Sequence, residues 1–409
     1  MIYDNDENDT EIKLALLSSI FPDKSIETLL EKLVENNGIV ENILNVNSQS
    51  DFKNENALLK RKKQRKIEEF IENDEYKHKR TFVSGKLSSD TLWPIKMQND
   101  SFERSKRVNV HVQHLYFPDQ IAKLTPCTLI HNFLGKDLCN SLLLKMLKES
   151  ETWERNEFRL FERKVVSPHK SCYYLYSDEN KLLEQKFFHN GLEIKNVREF
   201  SEEMNVVRLL VKDIVNKILS KRENLEYQYP GEWDPNIVVA NLYSNAKENL
   251  GYHSDQLTYL GPMPTIACIS LGTEREFRLK RVGFEHNESV KSIHLPHNSL
   301  LIMHSPCQED YKHSIHPAHT VMLHPISGTI RISITYRFCR KTYQPKYIPT
   351  CKCNIPSVLR CVQKKRSTKG RYFWSCNANK LVNGNGKGCQ FFQWAVFTKD
   401  GENILAYKE

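Results

Sequence analysis

The sequence predicts an α+β multidomain chain. A double-stranded antiparallel sheet of jelly-roll type with flanking helices is preceded by a small three-helix bundle and followed by a small cysteine-stapled module. Three observations carry that expectation. Apolar residues recur at helical spacing near the N-terminus; short β-type runs follow longer helical ones from about residue 105; and five of the eleven cysteines fall between Cys351 and Cys389.

The totals agree with this division. The chain of 409 residues has room for two or three domains of roughly 100 to 200 residues each. Its hydrophobic content of 39% and charged content of 27% are those of a globular chain with a sizeable core. No stretch approaches the ~18 uninterrupted apolar residues of a spanning helix, and the acidic opening MIYDNDENDTE lacks the basic and apolar regions of a signal peptide. The expected location is the nucleus, possible alongside the cytoplasm, with no membrane partner and with thiols that are reduced or metal-bound. Charge is polarised. Residues 1–50 carry ten acids against three lysines, whereas residues 340–399 carry thirteen Lys or Arg and no acid, so a polyanion is drawn to the C-terminal end.

In chain order, residues 8–50 hold three short amphipathic segments, Ile12–Ile20, Ile26–Val34 and Ile39–Val46, separated by Pro22 and by Asn37-Gly38, with Asp23 or Ser25 available as a cap. The IFP at Ile20–Pro22 and the late pair Ile43-Leu44 resemble the CUE family of ubiquitin-binding domains. That resemblance implies that Phe21, Pro22, Ile43 and Leu44 contact ubiquitin or ubiquitylated proteins; the alternative is that they pack the bundle. Residues 51–104 form a basic linker, with the run Lys60–Lys66 as a nuclear-localisation or polyanion patch or a solvated helix face. Within it QRKIEEFI (Gln64, Ile67, Phe70, Ile71) resembles a sliding-clamp-binding peptide, without the second aromatic.

From 105 to 342 the helical stretches KDLCNSLLLKMLKES and EEMNVVRLLVKDIVNKILSKR accompany β-type runs: TLIHNF, IVVANLY, PTIACISL, SLLIMH and IRISITYRF. In GYHSDQ, His253 and Asp255 stand two apart, which on a strand places both on one face and lets both reach one metal ion. A two-histidine-one-carboxylate set suits non-haem Fe(II) and leaves coordination positions open. Spacing alone does not choose the third ligand among His286, His294, His297, His304, His313, His316, His319 and His324. Arg331 and Arg337, an even six residues apart in RISITYR, put two guanidinium forks on one face, suited to a dicarboxylate.

NLY, YHSD, SLGTEREF, YKHSI and RISITYR stand in an order that resembles the AlkB family of Fe(II) and 2-oxoglutarate-dependent dioxygenases, from about Leu124 to Arg340. The resemblance implies a double-stranded β-helix oxygenase core with His253, Asp255 and His313 as iron ligands; His324 is the fallback. It implies Arg331 on the distal carboxylate of 2-oxoglutarate, Arg337 on the carboxylate beside the keto group, and Asn241 and Tyr243 hydrogen-bonding to the co-substrate. The implied reaction oxidises a methyl group on nitrogen, releasing formaldehyde and succinate. SPHKSCYYLYSD lies where that family recognises a nucleotide, so Lys170 is expected near a phosphate and Tyr173, Tyr174 or Tyr176 against a flipped base. Gln256, Glu274 and Arg275 are the further candidates for a base contact, and each tyrosine could instead pack the sheet.

Residues 347–402 contain Cys351, Cys353, Cys361, Cys376 and Cys389. Four thiolates in a reducing compartment suggest a closed structural zinc site that staples a segment too short to bury its own core. KGRYFWSC followed by GCQFFQW resembles the GRF zinc-finger family, with GRYF where Gly-Arg-Phe is expected. That resemblance maps the ligands to Cys351, Cys353, Cys376 and Cys389 and leaves Cys361 spare. Lys364, Lys365, Arg366, Lys369 and Arg371 lie beside Tyr372, Phe373, Trp374, Phe392 and Trp394, with Phe391 or Trp394 expected in the core. Basic side chains interleaved with aromatics suit single-stranded DNA, or RNA; a protein-interaction finger is the alternative. The expected function is oxidative demethylation of alkylated bases in single-stranded or damaged DNA. The competing readings are an oxygenase acting on a protein or chromatin substrate, and a catalytically weak adaptor joining ubiquitin to DNA.

Overall fold

The computed structural model describes residues 17, 25–35, 111–160, 163–176, 184–189, 191–282, 289–378 and 388–407. The chain divides into two units, 1–29 with 110–409, and 30–109. At the N-terminus α1 (Ile26–Glu35) is a ten-residue helix whose first turn is held by Ser25, its Oγ accepting from the Thr28 amide at 3.2 Å. Leu29 and Leu33, four apart, are buried. Phe21, Pro22, Ile43 and Leu44, the basic linker and its clamp-like peptide lie outside the described residues.

The larger unit opens with β1 (Val112–Leu115), α2 (Pro118–Leu124), β2 (Cys127–Ile130) and α3 (Lys136–Ser150). The hairpin β3 (Glu154–Leu160) and β4 (Arg163–Leu175) follows. Next come the two-residue strands β5 (Phe188–His189), β6 (Leu192–Glu193) and β7 (Arg198–Glu199), and then α4 (Glu202–Leu219). The catalytic strands are β8 (Ile237–Tyr243), β9 (Leu250–His253), β10 (Ile266–Gly272), β11 (Arg275–Arg281), β12 (Val290–Leu295) and β13 (Ser299–Met303). A single turn, α5 (Cys307–Asp310), leads to β14 (Tyr311–Ile315), and β15 (Arg331–Arg337) completes the set. The C-terminal module holds β16 (Val358–Cys361), β17 (Tyr372–Ser375) and β18 (Phe392–Trp394).

Two sheets result. The larger runs β2-β13-β10-β15-β8-β4-β3, with β7 attached to β4, and the smaller runs β1-β12-β11-β14-β9. Strict alternation on β15 explains both of its faces. Ile332, Ile334 and Tyr336 enter a core shared with Val238, Ala240, Ile269, Tyr174 and the apolar stripes of α3 and α4. Arg331, Ser333, Thr335 and Arg337 point the other way, opposite Tyr243, Asn241, Val239 and Ile237 of β8. In α4 the buried Met204, Val207, Val211 and Val215 recur at helical spacing, and Ser201 caps the first turn through the Met204 amide. Each such side chain contributes roughly 1.5–3 kcal/mol by leaving water.

The two-sheet core and the cysteine module are not joined by a loose tether. Tyr343 in the connecting segment is fully buried, and one apolar cluster contains Leu175, Ile237, Leu257 and Tyr259 from the first together with Leu359, Tyr372 and Trp374 from the second. Arg340 fastens the joint by donating to the carbonyls of Leu260, Pro262 and Asp400. Its guanidinium lies so close over Gly261, at φ +74°, that a Cβ there would meet Arg340 Nη2 at 1.9 Å.

Candidate active site and zinc module

β9 ends at His253 and pairs with β14, with His253 directly opposite His313. The chain turns immediately afterwards and brings Asp255 beneath both imidazoles. His253 Nε2 lies 3.6 Å and His313 Nε2 3.5 Å from Asp255 Oδ1. The three ligand atoms fall within 4.8 Å of one another. His253 Nδ1 is 2.9 Å from the Gly251 carbonyl, which fixes the proton there and leaves Nε2 free to ligate. Burial pushes the His313 imidazole down to about 4, so it is neutral and available as a ligand at pH 7.

Arg337 takes the other carboxylate oxygen. Its Nε and Nη2 reach Asp255 Oδ2 at 2.8 and 2.7 Å, leaving Oδ1 for a metal. Burial alone would raise the Asp255 carboxyl, but Arg337 and hydrogen bonds from His253 and His313 hold it well below the usual carboxylate range. Of the histidines sequence spacing left open, the structure brings only His313 here among the described residues. His304 bonds to Thr128, while His297 and His324 lie ring to ring 4.3 Å apart elsewhere.

Arg331 is the second fork. It is fully buried; Nε donates to Ser270 Oγ, while Nη1 and Nη2 have no partner among the described residues. The Tyr243 hydroxyl opposite it is likewise buried and unpartnered. A buried guanidinium with two unmet donors is costly unless an anion meets it, so the donors fit a carboxylate of 2-oxoglutarate. Asn241 stands one pleat away on the same face of β8, opposite Ser333. The residues present therefore fit both ferrous iron and a dicarboxylate, with Arg337 already committed to Asp255.

A match to the 2OG-Fe(II) oxygenase superfamily spans residues 126–337, more than half of the chain. The chain belongs to that superfamily. Residues 349–396 match the GRF zinc finger. Among curated relatives, the DNA oxidative demethylase ALKBH2 of Arabidopsis thaliana is 26% identical over 205 residues, covering 45% of this chain and 57% of that protein. The alpha-ketoglutarate-dependent dioxygenase alkB homolog 3 of Homo sapiens is 36% identical over 87 residues, 20% of this chain and 30% of that protein. The human DNA oxidative demethylase ALKBH2 is 31% identical over 107 residues, 25% and 39%. This oxygenase thus spans little more than half the length of the relatives it matches, and less for most.

On the substrate side the structure separates the expected residues. Tyr173 shares the face of β4 that looks toward the iron ligands, its ring 6.0 Å from that of His189 on β5. Burial pushes the Tyr173 phenol up and the His189 imidazole down to about 4, so both rings are neutral at pH 7. His189 stands in no spacing pattern and was not legible in the sequence. The strand carrying it is pinned by the Tyr259 hydroxyl, which accepts from the Phe188 amide at 2.8 Å, and by Gln256, which donates to the Phe188 carbonyl.

Tyr174 does not face a base. Alternation turns it into the helical core, where its hydroxyl donates to Glu149 at 2.5 Å. Arg275 is also a correction: it is 2% exposed and spends its nitrogens on the carbonyls of Asn245, Glu248 and His316, bracing the loop behind Tyr243. Lys170 is half-buried and reaches the Ser150 carbonyl at 3.5 Å. Tyr176 packs against Arg208, whose guanidinium carbon lies 3.9 Å from the ring centre.

In the zinc finger Cys351, Cys353, Cys376 and Cys389 converge within 4.8 Å, with Cys351 Sγ and Cys376 Sγ 3.6 Å apart. Such a thiol set fits tetrahedral zinc; Cys361 stands apart on β16. Tyr372 and Trp374 are 3% and 1% exposed, so they cannot stack on bases, contrary to the sequence expectation. The outward residues of the same small sheet make the exposed aromatic face. Phe373 stacks on Phe392 at 5.2 Å, Trp394 meets both edge-on, and Arg371 lies over Trp394 at 3.9 Å. Lys364 and Lys365 are exposed, and Arg366 opens the short turn after them.

The finger also reaches the candidate metal centre. Gln363 donates to Ser254 Oγ, between the candidate ligands His253 and Asp255, and to the Gln308 carbonyl, both at 3.2 Å. Gln308 Oε1 in turn accepts from the Asp255 amide at 2.8 Å. No motif announced Gln308 or Gln363, because amide side chains are ordinarily surface residues.

Proposed function

We propose that this protein oxidatively demethylates alkylated bases in single-stranded nucleic acid. The reading is carried by one observation: the neutral rings of Tyr173 and His189 stand 6.0 Å apart within electrostatic reach of Asp255 and Arg337, an aromatic pair near the candidate metal ligands. Adenine or cytosine methylated on the ring nitrogen that normally accepts in pairing is cationic, and a cation is attracted to an uncharged aromatic face. A target base must leave its stack to reach so buried a centre. The curated relatives named as DNA oxidative demethylases support the same substrate class.

His253, Asp255 and His313 would hold ferrous iron, and Arg331 with Tyr243 and Asn241 would hold 2-oxoglutarate. When bound, these supply the oxidation: dioxygen converts 2-oxoglutarate to succinate and carbon dioxide and delivers one oxygen atom to the methyl carbon. The chain's contribution is positional. Arg337 keeps Asp255 ionised and oriented, the Gly251 carbonyl fixes the tautomer of His253, and Tyr173 with His189 orient the base and keep water from the methyl group. The N-hydroxymethyl product then loses formaldehyde. The finger's Phe373, Phe392, Trp394 and Arg371 are suited to hold the flanking strand.

The test is formaldehyde release from a methylated single-stranded oligonucleotide with Fe(II) and 2-oxoglutarate. We expect turnover in the intact protein and none in His253→Ala. Succinate formation without formaldehyde from any methylated DNA or RNA, but with formaldehyde from a methylated peptide, would assign the chemistry to a protein substrate instead.

A further inference from the structure

The smaller sheet carries a second cluster of donors on its opposite face. Leu115, Phe277, Leu279, Ile293 and Leu295 turn inward to the core. The alternating residues His114 of β1, His294 of β12 and Glu276 of β11 therefore turn outward. Glu276 pairs directly with His294, and His114 sits one pleat along, opposite Ser292. The three offer ligand atoms within 4.8 Å of one another.

From this geometry we infer a second metal site, in which His114, His294 and Glu276 bind a zinc-class divalent ion. His114 Nδ1 and His294 Nε2 are 2.9 Å apart, close to the ~3.3 Å that two nitrogens adopt on a tetrahedral ion with bonds of about 2.0–2.1 Å. The surroundings are those of a ligating set. His294 Nδ1 lies 2.9 Å from Glu274 Oε1, which fixes its proton there and turns the Nε2 lone pair toward the cluster. Glu276 is held by its Oε2 alone: Ser292 Oγ donates at 2.8 Å, and Arg278 Nε and Nη2 at 2.9 and 2.8 Å. Tyr116 stacks on the His294 ring at 4.2 Å and steadies it.

Two imidazoles and a carboxylate are a donor set that zinc takes with solvent completing the fourth position. The physical consequence lies in β1. Among the described residues it is an edge strand of four residues paired only to β12, so a metal bond from His114 would pin that strand to the sheet.

The site is tested on the full chain, equilibrated with zinc chloride and gel-filtered, by elemental analysis. We expect one zinc per chain more in the unaltered protein than in His114→Ala or His294→Ala, and a zinc affinity at least tenfold weaker in Glu276→Gln. Zinc in the finger, and any zinc in the ferrous centre, is common to all four proteins and cancels in the comparison. His114 is exposed, so His114→Ala preserves the fold if His294→Ala does not. A second reading follows thermal unfolding with the finger already saturated: added zinc should raise the midpoint further in the unaltered protein than in His114→Ala, any rise from zinc in the ferrous centre being common to both. Equal zinc content in the unaltered protein and both histidine variants would overturn the site and leave a hydrogen-bonded imidazole pair.

Discussion

Asp255 does two jobs with two oxygens. Oδ1 faces His253 and His313, and Oδ2 is closed by Arg337, so the carboxylate cannot rotate without losing one partner set. Replacing Arg337 by Met should free that rotation and leave a buried carboxylate unpaired. We expect ferrous affinity to fall by roughly 10- to 100-fold, the equivalent of the ~1.5–3 kcal/mol of a charge-assisted hydrogen bond, measured by anaerobic metal titration. Arg331→Lys tests the other fork: a single ammonium cannot meet a carboxylate bidentately. The 2-oxoglutarate concentration at half-maximal turnover should rise by about tenfold or more, while iron binding is unchanged.

Glu309 makes a pH prediction of its own. It is 4% exposed, accepts from the Met263 amide and the Tyr372 hydroxyl through Oε1, and has no partner at Oε2. Burial pushes its carboxyl from 4.5 up to about 7. The folded state therefore holds the proton more tightly than the unfolded one. Stability from this group is present below about pH 4.5 and is lost as pH rises through 7. Glu309→Gln removes the ionisation. The stability of the variant relative to the unaltered protein should climb between pH 5 and 8 by at most about 3 kcal/mol, measured by urea unfolding across that range.

At the scale of elements, alternation on β17 decides which finger residues can touch a strand of nucleic acid. Tyr372 and Trp374 face the shared core, whereas Phe373 lies between Phe392 and Trp394 on the outer face. Phe392→Ala and Trp394→Ala should each weaken single-stranded DNA binding by about 1–3 kcal/mol with little loss of stability, measured by fluorescence anisotropy. Trp374→Ala should instead destabilise by about 3–5 kcal/mol. The same period of two was readable in RISITYR, which combines an apolar and a polar face. In YFWS both faces are aromatic, so composition hides which one is buried. The same holds for YYLY, which offers aromatic residues to both sides of β4, and there Tyr174 takes the core side.

Across the whole molecule, core and finger share one apolar cluster and the chain of contacts Gln363, Ser254, Gln308, Asp255. Zinc in the finger should therefore bear on iron in the core. With Cys376→Ser, we expect a single cooperative unfolding transition at lower temperature and a weaker ferrous affinity, read by calorimetry and anaerobic titration. Two independent transitions, with iron binding untouched, would mean that the interface transmits nothing.

Legible in the sequence were the strand and helix periods, the His253–Asp255 pair and the even spacing of Arg331 and Arg337, because each is a local pattern of residue type and spacing; the choice of four among the five clustered cysteines came from the resemblance to the GRF family. Residue spacing did not choose among the distant histidines; the resemblance implied His313, and the pairing of β14 with β9 sets it opposite His253. Only the tertiary structure decided that Arg275 braces a loop, that His189 joins Tyr173 beside the ligands, and that the finger's buried tyrosine meets Glu309. Those outcomes depend on which faces are covered when separate elements pack. Burial is a property of the assembled chain rather than of any one segment.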